Sequence, residues 1–211
     1  MAQGDLTTTS YLVLGMLVSR DLSAYEVAAQ IGKGLAEVWP RAQRQGYNIP
    51  KRLLEQGMVT ARTEATGRRA RTVYSIAPAG EEALRSWLAT EPSAAALEFE
   101  GLVRLLVADQ GSLADIQATL RTVIEQSRAK RQLFVAHAQT MLEPARATFP
   151  EREHGLALAN RFMIGHYTHM IEWAEWALDE TATWSDTESP VETHHERTQE
   201  ILRAVIDGQS E

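Results

Sequence analysis

Groups able to read a duplex crowd one short stretch: Arg41, Gln43, Arg44, Gln45, Tyr47, Asn48 and Lys51, then Arg68, Arg69 and Arg71 beyond a glycine. Arginine and the carboxamides of Asn and Gln can make paired hydrogen bonds to guanine and adenine edges in a major groove. Lysine and tyrosine suit phosphate oxygens, which set register and carry no sequence information. Arginines such as 68, 69 and 71 could grip phosphate or enter a minor groove. From Arg41 to Arg71 there are eight Lys/Arg against two acids, Glu55 and Glu64. The 211-residue chain is otherwise acidic, with 21 basic and 28 acidic residues and a net charge of -7. Its first 88 residues balance at +3 and the remainder at -10. A local cationic patch on an acidic body favours phosphate where it is wanted and limits indiscriminate sticking elsewhere.

The elements that must carry these groups follow from caps and breakers. Leu12, Leu14, Met16, Leu17 and Val18 predict an apolar helix from about Thr9 to Ser19. Ser23 followed by Glu26 is a capping box, which opens a second helix through Val27, Ile31 and Leu35 that fades near Gly32–Gly34. Pro40 suits the first turn of a third helix, where its missing N–H costs nothing, and Gly57 ends it. Met58–Glu64 and Arg71–Ile76 alternate as paired strands with Ala65–Ala70 as the tip, and Pro78 opens a fourth helix through Leu88. Three helices, a hairpin and a helix in this order predict a winged helix-turn-helix.

Beyond Glu91–Pro92 the pattern is helical. Leu97–Val107 is short and apolar, and Ser112 with Asp115 caps a long segment to about Leu142. The Pro144–Pro150 region breaks it before a second long segment, Arg152–Leu178. This predicts an antiparallel helical hairpin with more apolar face than it can cover itself, and a second copy is the simplest cover. The expected fold is mainly α, with a winged-helix domain over 1–90, an all-α dimerisation and effector domain over 91–180, and a linker and C-terminal helix over 181–211. A helix from Val191 to Ile206 is expected in that tail.

These residues in this order resemble the PadR family of bacterial transcriptional regulators. The likeness rests on LVLGML at 12–17, LSAYEV at 22–27, Trp39-Pro40, Tyr47 eight residues beyond the tryptophan, KRLLEQGMV at 51–59, TVYSIAPAGEEAL at 72–84 and IEWAEWALDE at 171–180. The resemblance implies a homodimer paired through its C-terminal helices, double-stranded DNA as partner, and repression released by a small molecule. Two positions depart from the family pattern. Gly46 stands where a branched apolar residue is usual, and Pro50 where leucine is common. Inside a helix these cost about 1 and about 3 kcal/mol relative to alanine. A kink or break is therefore expected near Gly46–Asn48, leaving Arg41–Gln45 with Tyr47 and Asn48 as the reading surface.

Other constellations compete. Trp173 and Trp176, three apart on one helix, could stack a small aromatic effector with Met163, Tyr167 and Met170 as companions; residues so spaced more often pack a core or an interface. Glu151-x-x-His154 and Glu192-x-x-His195 have di-iron spacing but sit in polar runs, so no metal is expected. The chain has no cysteine, which excludes disulfides and thiolate chemistry. No Ser/His/Asp set or phosphate loop is present, and neither an enzyme nor a cofactor is expected. The N-terminal apolar run is too short to span a bilayer, so a cytoplasmic location with no membrane partner is expected. The other reading left open is a protein-interaction module, with an acidic bundle and a vestigial wing that does not bind DNA.

Overall fold

The computed structural model describes residues 6–66, 69–143, 149–187 and 193–208. The chain divides into two compact units, Met1–Ala95 and Ala96–Glu211. In the first, α1 (Thr8–Ser19) is opened by a capping box between Thr7 and Ser10 and buries Val13, Leu14, Met16 and Leu17. The chain then enters a two-residue strand, β1 (Leu22–Ser23), and α2 (Ala24–Gln30), where Ser23 and Glu26 form the expected capping box. The helix loosens into a π turn at Ile31–Leu35, leaves helical geometry at Lys33 and Gly34, and gives a short α3 (Ala36–Val38).

The expected third helix is two pieces, α4 (Pro40–Gln45) and α5 (Ile49–Glu55). Pro50 sits in the first turn of α5 and has no N–H to offer the preceding turn, so the ladder is interrupted at Gly46–Asn48. Asn48 N–H bonds instead to the Gln45 carbonyl, a tighter turn. The end of α5 is a Schellman motif: Met58 N–H reaches the Leu53 carbonyl and Gly57 N–H the Leu54 carbonyl, with Gly57 at φ 70°.

Strands β2 (Val59–Thr66) and β3 (Arg69–Ile76) pair antiparallel from Val59–Ile76 out to Thr66–Arg69. The wing is thus longer than the expected strands, because Ala65 and Thr66 continue the ladder against Ala70 and Arg69. Backbone pairing does not need the apolar alternation by which the strands were read. The short β1 joins the other side of β3, giving the order β1-β3-β2. Helix α6 (Pro78–Leu88) returns to α1, where Trp87 stacks on Tyr11 with centroids 4.7 Å apart.

In the second unit, α7 (Glu100–Leu106) precedes α8 (Leu113–Met141), which is opened by the Ser112–Asp115 capping box. Helix α9 (Glu153–Thr181) packs along it. Ile116, Leu120, Val123 and Ile124 meet Ile171 and Ala174, whereas Phe134 meets Met163 and Tyr167. Early α8 against late α9 is antiparallel packing, as the apolar spacing predicts. The expected break at 144–150 begins after Met141; residues 144–148 lie outside the described residues. The tail helix α10 spans His195–Ile206, while Val191 and Glu192 lie outside the described residues.

Candidate nucleic-acid interface and a tryptophan-lined cavity

The interrupted α4–α5 segment has one buried side and one exposed side. Ala42, Gly46, Ile49, Pro50 and Leu53 face inward, and Gly46 lies so close to α2 that a Cβ there would stand 2.5 Å from Ile31 Cδ1. The missing side chain is what lets these helices approach. On the other side Arg41, Gln43, Arg44, Gln45, Tyr47, Asn48, Lys51 and Arg52 are all exposed, Tyr47 by 62%. Among the described residues, Arg41, Arg44, Lys51 and Arg52 make no ion pair. The turn at Gly46–Asn48 therefore leaves guanidinium, carboxamide and ammonium groups on one open surface.

The wing arginines stand differently. Arg71 donates to Glu64 Oε2 at 3.0 Å and to Glu26 Oε1 at 3.1 Å. Arg62 donates to Asp21, to Glu64 at 2.8 Å and to Ser75 Oγ at 2.9 Å. Glu26 meanwhile accepts from Ser23 N–H at 2.8 Å through its other oxygen. One network thus joins the hairpin, the loop before β1 and the N-terminus of α2, and Arg71 is a strut within it. Arg68 and the side chain of Arg69 lie outside the described residues. These pairs are solvent-exposed, and water screens such contacts so that each contributes little to stability.

The network lowers three carboxyls. Asp21 is held down by hydrogen bonds from Ser75 and Arg62, Glu26 by its backbone and hydroxyl bonds from Ser23 and then by Arg71, and Glu64 by Arg71 and Arg62. A carboxyl with a lowered folded-state pKa stabilises the fold fully above its unfolded value, and that contribution is lost as pH falls through the lowered one. Wild type and Glu64→Gln should therefore differ in Tm at pH 7 and converge as pH drops below the ordinary carboxylate range, about 4. Circular-dichroism melts over that range check this; parallel curves would contradict it.

The five residues expected around an aromatic ligand are divided by the structure. Met163 and Tyr167 are buried against Phe134, with Phe134 and Tyr167 rings 6.0 Å apart, and Met170 packs against both clusters of the helical hairpin. Trp173 and Trp176 instead line a cavity of about 380 Å³ at the C-terminal end of α9. Trp184, His194 and Arg197, from the tail, complete its wall. Trp173 also packs edge-on against Phe99 at 5.8 Å. Single-helix spacing placed the two tryptophans together but held no signal for the tail that folds beside them. Among the described residues no cluster of three or more His, Asp or Glu could hold a metal ion, and no helix is long and apolar enough to cross a membrane. Glu192 lies outside that description.

Comparisons with known proteins agree with this architecture. Residues 100–182 match a family described as virulence activator alpha C-term. The negative transcriptional regulator PadR of Bacillus subtilis is 29% identical over 79 residues, a match that spans 37% of this chain and 43% of that relative's length. The crystal structure of Bacillus subtilis PadR in complex with operator DNA superposes with a TM-score of 0.70 at 20% identity, covering 83% of this chain and 99% of that one. That regulator has also been crystallised with p-coumaric acid. The Vibrio cholerae virulence activator AphA gives a TM-score of 0.63 at 22% identity, over 82% of this chain and 97% of that one. At these identities the structures show the fold, and the resemblance read from the sequence is borne out.

Proposed function

Starting from a PadR-like winged-helix chain, we propose that this protein is a DNA-binding transcriptional regulator, a cytoplasmic homodimeric repressor that answers to a small molecule. The observation that carries the reading is the open cationic surface of α4 and α5. Arg44 and Asn48 read base edges there, while Arg41, Tyr47, Lys51 and Arg52 hold phosphates. Arg71 positions the wing through Glu26 and Glu64, and Arg68 and Arg69 are assigned to the DNA backbone by their charge alone. The operator DNA bound by the Bacillus subtilis relative supports the same partner here.

Pairing of two copies is supported by apolar groups that one copy leaves in water. On α9, Leu158 is 74% and Phe162 69% exposed, and on α8 Leu133 is exposed as well. Burying a side chain of this size stabilises by about 1.5–3 kcal/mol, so a second copy of the same face is strongly favoured. Two-fold pairing presents two reading surfaces, and the preferred site is an inverted repeat.

Selection from a random duplex pool with the full chain tests this. The expected result is enrichment of an inverted repeat with half-sites about one or more helical turns apart. Recovery of unenriched sequence at every round would leave the regulator reading without support.

A further inference from the structure

The cavity at the end of α9 takes one wall, including Trp184, His194 and Arg197, from the tail beyond residue 182, where the match to the virulence-activator family model ends. Two of its tryptophans come from α9, and a third, Trp184, stands where the chain leaves that helix. Helix α10 then returns beside them: Arg197 grips Glu180 through Nε at 3.2 Å and Nη2 at 2.6 Å. Thr187 Oγ1 donates to the Gly111 carbonyl at 3.0 Å, fixing the tail to the start of α8. At about 380 Å³, the space falls within the range of small-molecule sites, roughly 300–1,000 Å³.

Its charge decides what fits. Two carboxylates, Asp109 and Glu180, and one guanidinium, Arg197, line it. That guanidinium is already held by Glu180 and, at 3.1 Å, by Glu200. A carboxylate ligand would have to displace one of these partners and then sit beside Asp109. A planar cation meets indole faces, which attract positive charge, and the Asp109 carboxylate, which Arg197 does not hold. We propose that this tail-walled cavity is a binding site for planar aromatic cations, with Trp173, Trp176 and Trp184 as the stacking surfaces and Asp109 as the charge partner. The site lies within one subunit and differs in ligand charge from the phenolic acid bound by the Bacillus relative. Control of transcription by such a ligand rests on the regulator reading above; the binding itself does not.

Calorimetry on the full chain without DNA tests it, with proflavine as the planar cation and 9-anthracenecarboxylate as an anion of similar shape. Proflavine should bind once per chain and at least about tenfold more tightly than the anion. Trp176, 42% exposed, can be changed without opening the core. Trp176→Ala should weaken proflavine by about tenfold, Trp176→Phe should retain most of the affinity, and Asp109→Asn should narrow the cation preference. Equal or tighter binding of the anion, unchanged affinity in Trp176→Ala, or no heat from either compound would overturn the proposal. Because no DNA is present, such a failure leaves the regulator reading intact, and a failed duplex selection leaves this site intact.

Discussion

Arg44→Ala weakens binding to the selected duplex by about ten- to a hundredfold, roughly 1–3 kcal/mol, and hardly changes binding to random DNA. The expectation follows from where the side chain stands. Arg44 is exposed on the last turn of α4, beside the bend that brings Asn48 onto the same surface, and no described acid engages it. A guanidinium so placed is free to make two hydrogen bonds to one base, and its loss removes discrimination at that position. Lys51→Ala is the contrasting case. Losing a phosphate contact weakens every sequence about equally and lowers the slope of log affinity against log salt by about one per subunit, about two for the dimer. Competition anisotropy with specific and random duplexes separates the two, and an equal loss on both for Arg44→Ala would remove it as a base reader.

Gly80→Ala destabilises the first unit by roughly 1–3 kcal/mol, the size of an overpacked core substitution. Two effects oppose each other. Alanine is the better helix former by about 1 kcal/mol. Against that, a Cβ at position 80 would lie 2.2 Å from the Met58 carbonyl oxygen, with Leu14 Cδ2 at 3.0 Å and Ile76 Cγ1 at 3.2 Å. The oxygen is backbone and accepts from Ala77 N–H at 3.0 Å, so it cannot swing aside without breaking a bond that anchors α6 to the sheet. Steric cost wins. At Gly46 the nearest obstacle is the end of the Ile31 side chain, so Gly46→Ala costs less. Gly155→Ala meets nothing within 4 Å and should stabilise slightly. Urea unfolding of the three variants checks the order, and a Gly80→Ala protein as stable as Gly155→Ala would contradict the packing described.

The parts of this fold that were legible are those written in local chemistry. Ser23–Glu26 and Ser112–Asp115 open helices because the capping box needs only two residues three apart. Gly46 and Pro50 announced the break in the reading segment. What escaped was written in contacts between distant residues. The two-residue β1 has no periodicity to detect and exists because β3 offers an edge. Arg62 and Arg71 read as free cations, yet their partners Asp21 and Glu26 lie 41 and 45 residues away. Likewise, no spacing on α9 could reveal that Met163 and Tyr167 pack on Phe134 while Trp173 and Trp176 look toward the tail.

Fluorescence-anisotropy titration of the full chain against its selected duplex, repeated from 50 to 200 mM salt, tests the cationic-surface account most directly. The account predicts tight binding at low salt and a linear fall of log affinity with log salt of about 0.9 per phosphate held. Replacing Arg41, Lys51 and Arg52 together removes three contacts from each of two subunits and should flatten that slope by about five. Binding that ignores salt, or a slope untouched by the triple replacement, would mean that α4 and α5 do not meet the duplex.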